Sequence, residues 1–225
     1  MSDQRFERKY VFNGIDINKI TLAIYRSNFN FFSLFPDRKV NSIYFDDKDL
    51  TSISANLDGV TDKEKVRVRW YGNSQIIDNS KLEIKRKSEF LVSKNNYELK
   101  LPKKFKFQER KNISYLKDYL NKLKELKKII QKPLYPILST HYLRSYFLSS
   151  NRLIRLTMDK NIEYIHLIDN KDINLKYKTQ NIIIELKYKK ELDNFVRSKI
   201  RNISVRFSKN SKYIHAAQLM KIIQN

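Results

Sequence analysis

Four short segments of the chain place basic side chains at every second residue, and three of the four carry a glutamate in the same alternation. The clearest lie between Lys63 and Lys87, where KEKVRVRWYG is followed by a polar turn and by KLEIKRK. Alternate residues of an extended strand point to opposite faces. Each segment therefore presents one basic face, formed by the sets Arg5, Glu7 and Lys9; Lys65, Arg67 and Arg69; Glu83, Lys85 and Lys87; and Glu185, Lys187 and Lys189.

Such faces suit a chain of phosphate groups. Arginine binds phosphate through two parallel hydrogen bonds, and a row of basic residues can neutralise successive phosphates. An ordinary half-buried strand also alternates charged and apolar residues, with the charged face in water. Recurrence in four segments instead predicts one common lining, the cationic bore of a barrel. Because buried cations need counter-charges, the bore must also hold carboxylates, water or ligand.

Four acidic residues share the predicted strands. In a cationic lining, each of them can pair with arginine or lysine or bind a hard metal ion through oxygen. These four residues are Glu7, Glu83, Asp159 and Glu185.

The composition narrows the class of partner. The 225 residues include 46 Lys+Arg and 24 Asp+Glu, which gives a net charge of +22 and indicates a polyanionic partner. The absence of cysteine excludes disulfides, thiolate metal sites and a cysteine nucleophile. Neither GxGxxG nor GxxxxGK[ST] occurs, so if the protein binds phosphate it must do so with side chains. No apolar run approaches a membrane span and no signal-peptide core is evident, which predicts a soluble, cytoplasmic protein.

The remaining helices and strands are predicted from the spacing of apolar residues and from residues that typically begin or end such elements. Asp16 is predicted to cap a helix that reaches about Ser27, and apolar residues at three-and-four spacing predict one helix over 112–131. Residues 88–111 are ambiguous. The other predicted elements are a strand over 39–47 with Ser42, Tyr44 and Asp46 on one face, a short helix ended by Gly59, a hairpin turning at 149–151, a further strand over 162–168, a strand over 181–189, and helices over 191–201 and 211–223. The economical prediction is a single domain, 1–225.

Several motifs occur in an order that resembles the polyphosphate polymerase domain of the vacuolar transporter chaperone (VTC) family. They are RFERKY, VNSIYFDD, KVRVRWYG with LEIKRK, HYLRSYF, IRLTMD, IIIELKYK and SKNSKY. The family belongs to the triphosphate tunnel metalloenzymes, which include the adenylate-cyclase/thiamine-triphosphatase (CYTH) proteins. The resemblance implies an α+β fold with a closed, antiparallel, eight-stranded barrel, surrounding helices and a C-terminal helix. It also implies transfer of the terminal phosphate of a nucleoside triphosphate onto polyphosphate with Mn²⁺ or Mg²⁺.

The resemblance also implies roles for individual residues. The residues implied to line the bore as catalytic groups are Lys9, Arg67, Arg69, Lys85, Arg144, Arg155 and Lys187. Glu185 would hold the metal with Glu7 as its partner, whereas the CYTH relatives open with ExExK and this chain has Arg5 in place of the first acid. The implied substrate-binding residues are Lys209 and Lys212 near the last helix, with Lys87 and Lys189 as further candidates.

Three functions from different classes stay open at this stage. The leading hypothesis is a metal-dependent polyphosphate polymerase. The alternatives are a tunnel triphosphatase that hydrolyses inorganic or organic triphosphate, and a non-catalytic module that binds polyphosphate or another polyanion. The expected partners are nucleoside triphosphate and polyphosphate, and a membrane protein on a separate chain is a further candidate. Nucleic acid is not expected, because no basic-aromatic recognition segment is present.

Overall fold

The computed structural model describes residues 5–88, 92–103, 105–107, 109–167, 176–200 and 211–222. The fold is α+β. Within the described residues the strands are β1 (Arg5–Phe12), β2 (Phe32–Asp46), β3 (Lys63–Tyr71), β4 (Ile76–Ile77), β5 (Lys81–Lys87), β6 (Val92–Glu98), β7 (Phe105–Lys106), β8 (Tyr135–Leu148), β9 (Arg155–His166), β10 (Lys176–Thr179) and β11 (Ile182–Lys189). The α-helices are α1 (Ile17–Tyr25), α2 (Thr51–Leu57), α3 (Arg110–Lys122), α4 (Lys124–Lys127), α5 (Asp193–Lys199) and α6 (Lys212–Leu219).

The strands form one large sheet with the hydrogen-bonded order β1-β11-β9-β8-β2-β3-β5-β6, and β10 pairs with β9. The α+β class and the antiparallel pairing are confirmed. The predicted closed barrel is not, since the order starts at β1 and ends at β6 and no pairing joins these strands in the described ranges. Closure requires backbone hydrogen bonds between the two end strands. A separate two-stranded sheet, β4-β7, lies outside this order.

The chain divides into two compact units, each with its own apolar core. The first unit draws on Met1–Arg38, Tyr142–Ile162 and Lys178–Asn210, and the second on Lys39–His141, Glu163–Tyr177 and Ser211–Asn225. Strands β2, β8, β9 and β10 contribute residues to both units. The prediction of a single domain therefore stays a prediction.

The core of the first unit lies between the apolar faces of its strands and two helices. Ile154, Leu156, Ile184 and Leu186 are buried there, in a cluster that also contains apolar residues of α1 and α5. Helix α1 begins where predicted, because the Asp16 carboxylate accepts a hydrogen bond from the Asn18 backbone N–H at 2.8 Å. These four side chains are buried, whereas the charged residues that alternate with them lie on the other face of the strands.

The core of the second unit is built in the same way. Val66 and Val68 of β3 and Ile84 of β5 are buried in one cluster with Leu116 and Leu120 of α3. In both β3 and β5 the apolar residues therefore point toward a covering helix, which leaves the alternate, charged residues on the other face. The predicted segregation of the two faces is confirmed within this unit.

Several predicted boundaries are wrong. The helix predicted over 112–131 is two helices, because Leu123 adopts an extended conformation with ψ 121° between α3 and α4. The Asn121 side chain accepts from the Leu134 N–H at 2.8 Å and donates to the Leu134 carbonyl at 2.9 Å, which ties the end of α3 to the following chain. The strand predicted over 162–168 is not separate, because its residues up to His166 continue the second strand of the predicted hairpin as β9. Ile168 lies outside the described residues. None of the helices in the described ranges is both long enough and apolar enough to cross a membrane.

Candidate functional site

One face of β3, β5 and β6 in the second unit carries eight basic side chains, all but one of them on β3 and β5. The backbone pairing places Arg67 opposite Glu83, Arg69 opposite Lys81, and Lys65 opposite Lys85. We call this surface the basic face. Its charged members are Lys63, Lys65, Arg67, Arg69, Lys81, Lys85, Lys87 and Lys94, with the acids Glu83 and Glu98.

The basic face includes a row of like charges across three neighbouring strands. Lys65 of β3 lies opposite Lys85 of β5, and Lys85 lies opposite Lys94 of β6. Like charges directly opposite one another destabilise a sheet. The apolar sides of β3 and β5 are fixed by the core, so the register cannot shift to relieve this repulsion. A bound anion would relieve it.

Glu83 is the acid at the centre of the basic face. Its Oε2 accepts from the Arg67 Nε at 2.7 Å and contacts the Arg67 Nη2 at 2.6 Å. The Arg69 Nη1 lies 3.7 Å from the same oxygen, and the Lys94 Nζ lies 3.7 Å from Oε1. Burial would raise the pKa of Glu83, but the positive charges of Arg67 and Arg69 outweigh it and lower that pKa. Glu83 is therefore ionised at neutral pH.

Tyr44 of β2 lies beside this centre. The Arg67 Nη1 donates to the Tyr44 hydroxyl oxygen at 3.2 Å. Burial would raise the pKa of Tyr44, but the positive charges of Arg67, Arg69 and Lys212 outweigh it and lower the pKa to about 8. Tyr44 is thus both a hydrogen-bonding partner of the arginine and a group that can ionise in the weakly alkaline range.

Helix α6 is held close to the basic face by aromatic and polar contacts. Tyr213 stacks on Tyr44 with ring centroids 4.7 Å apart and 9° between the planes. Its hydroxyl donates to the Asp46 Oδ2 at 2.9 Å. Just before α6, the Ser211 hydroxyl accepts from the Lys65 Nζ at 2.9 Å. Lys212, at the first position of α6, is therefore fixed near the basic face.

A second group of charges lies on β1 and β11 of the first unit, and we call it the lysine–glutamate quartet. It consists of Glu7, Lys9, Glu185 and Lys187. The Lys9 Nζ lies 2.8 Å from Glu7 and 3.9 Å from Glu185, and the Lys187 Nζ lies 2.6 Å from Glu185 and 3.6 Å from Glu7. Both carboxylates thus contact both ammonium groups.

Arg144 also belongs to the first unit. Its Nε and Nη2 donate to the two oxygens of Asp159 at 2.6 and 2.8 Å. Burial would lower the pKa of Arg144, but Tyr142 and Asp159 outweigh it and raise that pKa well above its usual value. Arg155, which is exposed, lies opposite Lys187 in the pairing of β9 with β11. The Arg144–Asp159 pair confirms that one of the candidate acids serves as a counter-charge.

The predicted site residues fall into two sets. The basic face and the neighbouring α6 contain Arg67, Arg69, Lys85, Lys87 and Lys212. The first unit contains Glu7, Lys9, Arg144, Arg155, Glu185, Lys187 and Lys189. Lys209 lies outside the described residues. The prediction that all of these cations line a single cavity stays a prediction.

Sequence reasoning missed the contacts that connect β2 to α6. Asp46 is buried and accepts from the backbone N–H groups of Ser52 and Ile53, each at 3.0 Å, as well as from Tyr213. It was not among the predicted site residues. The sequence did place Asp46 on the same face of the predicted strand as Tyr44. No pattern in the sequence indicated that this face of the strand packs against the final helix.

Glu7 and Glu185 are the residues predicted to hold Mn²⁺ or Mg²⁺. The described residues contain no group of three or more His, Cys, Asp and Glu side chains that could hold a metal ion by itself. Mg²⁺ is commonly held by one or two carboxylates together with substrate phosphates. Each of these two carboxylates contacts both Lys9 and Lys187, which already supply its counter-charge, so the metal-binding role of Glu7 and Glu185 stays a prediction.

Comparison with known proteins identifies similar folds and a family. No curated protein gives a significant match. The PH1819 protein from Pyrococcus horikoshii OT3 is 13% identical, with a TM-score of 0.52 over 96% of this chain and 98% of its own. A protein from Bacillus halodurans named "putative adenylate cyclase" is 12% identical, with a TM-score of 0.55 over 95% of this chain and 96% of its own. The model of the VTC domain matches residues 4–221, and the chain therefore belongs to the VTC domain family.

Proposed function

We propose that this protein is a metal-dependent polyphosphate polymerase. The proposed reaction transfers the γ-phosphoryl group of a nucleoside triphosphate to the terminal phosphate of polyphosphate. A terminal oxygen of the chain forms a bond to the γ-phosphorus, the bond from that phosphorus to the β-bridging oxygen breaks, and the nucleoside diphosphate leaves. Membership of the VTC domain family supports a polyphosphate-related, phosphoryl-transfer function.

The observation that carries the proposal is the row of like charges on the basic face. Lys85 lies opposite Lys65 on one side and Lys94 on the other, and the neighbouring arginines share one half-buried carboxylate, that of Glu83. An extended polyanion would neutralise this row along its length, whereas a small monoanion could neutralise only part of it. Arginine adds bidentate geometry to the binding of each phosphate.

The roles of the other residues follow the chemistry of phosphoryl transfer. Glu185 and Glu7 would hold Mn²⁺ or Mg²⁺, which when bound neutralises developing charge on the phosphate oxygens. Lys9 and Lys187 would keep these two carboxylates in place and add positive charge. Lys212, at the start of α6, would bind the nucleotide phosphates.

The polymerase reaction does not require a general base from the protein, because a terminal phosphate oxygen is already a nucleophile at neutral pH. His141 fits this view. Burial, and to a smaller extent the charge of Lys176, lowers the pKa of His141 to about 4, so it is neutral at pH 7. Its ring nitrogens contact Asn41 at 2.9 Å and Ser139 at 3.0 Å, which indicates a structural role.

The test is incubation of the purified protein with ATP and either Mn²⁺ or Mg²⁺, followed by separation of long phosphate chains from free phosphate. Long chains that disappear when the metal is chelated are the expected result. Release of phosphate without chains would identify a triphosphatase. Binding of polyphosphate with neither product would identify a non-catalytic binding module and overturn the proposal.

A further inference from the structure

Glu83 occupies two donors of Arg67 on the basic face. Arg67 directs both Nε and Nη2 at one oxygen of this carboxylate, at 2.7 and 2.6 Å. Two donors of one guanidinium on an anionic oxygen is also the way in which arginine recognises a phosphate group. The Glu83 side chain is 11% exposed, so it lies within the basic face and not at its rim.

In the part of the chain that the structure describes, Glu83 lies among three cations. Arg67, Arg69 and Lys94 all lie within ion-pair distance of this single carboxylate. Glu83 can therefore neutralise only part of the positive charge that surrounds it. Such a centre favours a more highly charged anion over the carboxylate that it already holds, since the Coulomb energy grows with the charge of the anion.

We propose that Glu83 is an internal competitor of the substrate, occupying the place of a phosphate group until triphosphate or polyphosphate displaces it from Arg67. Glu83 would then set the affinity and the specificity of the basic face. Weakly charged anions would fail to displace Glu83 from Arg67, whereas a polyphosphate would succeed. Because Glu83 competes for the same donors, the bound phosphate chain could also be released from them. This inference rests on the proposed function only in taking a phosphate chain as the anion.

The same two strands contain a matched ion pair on their opposite face. Glu64 of β3 lies opposite Arg86 of β5, and the Arg86 Nε contacts the Glu64 Oε2 at 2.5 Å. The Arg86 Nη2 also donates to the Ile129 carbonyl at 2.5 Å. Glu64 thus has one arginine neighbour in its ion pair, whereas Glu83 has three cations. Glu64→Gln is therefore the control for removal of a strand carboxylate outside the basic face.

The experiment is calorimetric titration of inorganic triphosphate into the wild type, Glu83→Gln and Glu64→Gln, at low salt and with a chelator to remove metal. We expect Glu83→Gln to bind triphosphate at least about tenfold more tightly than the wild type, the scale of a hydrogen bond to a charged group. Glu64→Gln should bind like the wild type. Glu83→Asp keeps the negative charge and should return the affinity toward the wild-type value.

A structural role alone predicts the opposite result. If Glu83 only held Arg67 in place, its removal would leave the affinity unchanged or weaken it, and that outcome would overturn the inference. Failure of all variants and of the wild type to bind triphosphate would overturn it as well. Tighter binding by Glu83→Gln, together with no chain synthesis by the wild type, would support the inference and reject the polymerase.

A second measurement serves if Glu83→Gln does not fold. The carbon-13 resonance of the Glu83 carboxylate can be followed in the wild type during addition of triphosphate. Displacement from Arg67 should shift that resonance and leave the Glu64 carboxylate resonance unchanged. An unshifted Glu83 resonance at saturating triphosphate would contradict the inference.

Discussion

Arg67 connects the two kinds of group that surround it, a carboxylate and a phenol. It contacts Glu83 through Nε and Nη2 and donates to Tyr44 through Nη1. Because Tyr44 in turn stacks on Tyr213, one guanidinium links the basic face to α6. Protonation or substitution of any of these neighbours therefore changes the field that a bound phosphate would meet.

Tyr44 should make triphosphate binding sensitive to alkaline pH. Its pKa is lowered from the usual 10.0 to about 8, and the phenolate would neutralise part of the charge of Arg67 and Arg69. We expect wild-type affinity for triphosphate to fall above about pH 8, and Tyr44→Phe to lack this step. The measurement is the dissociation constant from pH 6.5 to 9.5 in both proteins.

Ionisation of Tyr44 should also change the free energy of unfolding, and the direction of that change follows from the direction of its pKa shift. An acid whose pKa is depressed on folding stabilises the folded state fully above its unfolded pKa, and this contribution is lost as pH falls through the folded pKa. Wild type should therefore gain stability relative to Tyr44→Phe between about pH 8 and pH 10, by roughly 2 to 3 kcal/mol. A constant difference across this range would contradict the assignment.

Substitution of Glu185 distinguishes a metal ligand from a residue that only balances the charge of neighbouring lysines. It pairs with Lys187 at 2.6 Å and Lys9 at 3.9 Å, so a purely structural role is the alternative. If Glu185 holds the metal, Glu185→Gln should lower turnover on the order of 10²-fold or more while triphosphate still binds, because the basic residues remain. The measurement is turnover across a Mn²⁺ titration beside triphosphate affinity.

The control for this substitution is Glu191→Gln, at an exposed position that follows β11. It should leave turnover unchanged. Near-normal turnover of Glu185→Gln at low Mn²⁺ would remove Glu185 from the site, and a modest loss of stability alone would assign it to charge balance.

Strands β3 and β5 each serve two purposes through their two faces. The apolar faces pack under α3 and fix the register, and that register places the charged residues of both strands opposite one another. Packing of the core in the second unit therefore fixes the register that places like charges opposite one another on the basic face. Stability at the apolar face and binding at the charged face should consequently be separable by substitution.

Leu120 tests this separation. It is fully buried in α3 within the cluster that contains Val66 and Ile84, and Leu120→Ala should destabilise the protein by roughly 2 to 5 kcal/mol. The folded protein should still bind triphosphate with wild-type affinity. Lys122→Ala, at an exposed position of the same helix, should change stability by less than about 0.5 kcal/mol. Urea unfolding and calorimetric titration check both statements, and loss of affinity in folded Leu120→Ala would contradict them.

At the scale of the whole molecule, the net charge of +22 opposes folding when no anion is bound. Part of that charge is concentrated on the basic face, where lysines oppose one another across strands. A ligand that binds only the folded protein stabilises it by mass action. Polyanions should therefore act on stability beyond their contribution to ionic strength.

The corresponding prediction concerns the melting temperature. Triphosphate or short polyphosphate should raise it well beyond the shift from sodium chloride at equal ionic strength, because specific binding adds to general screening. The measurement is thermal unfolding across a concentration series of each salt. Equal shifts at matched ionic strength would indicate screening alone and would favour an ordinary basic surface.

Sequence periodicity determined the elements that depend on local pattern. Alternation over Lys63–Lys87 predicted strands β3 and β5, and the division of apolar from charged residues in Ile182–Lys189 predicted β11 with its buried face. The family followed from motifs in the correct order and was confirmed over residues 4–221. The strands were predictable because their alternation is encoded within a few adjacent residues, whereas the family required the ordered set of motifs along the chain.

Which of these charges meet depends on contacts between separate parts of the chain. Pairing of β3 with β5 brings Glu83 to Arg67, and packing of α6 brings Tyr213 to Tyr44 across a long stretch of chain. The end of α3 at Lys122 likewise depends on Asn121 bonding to Leu134. Such contacts join residues far apart in sequence, so strand register and helix packing set them, and no local pattern contains that information.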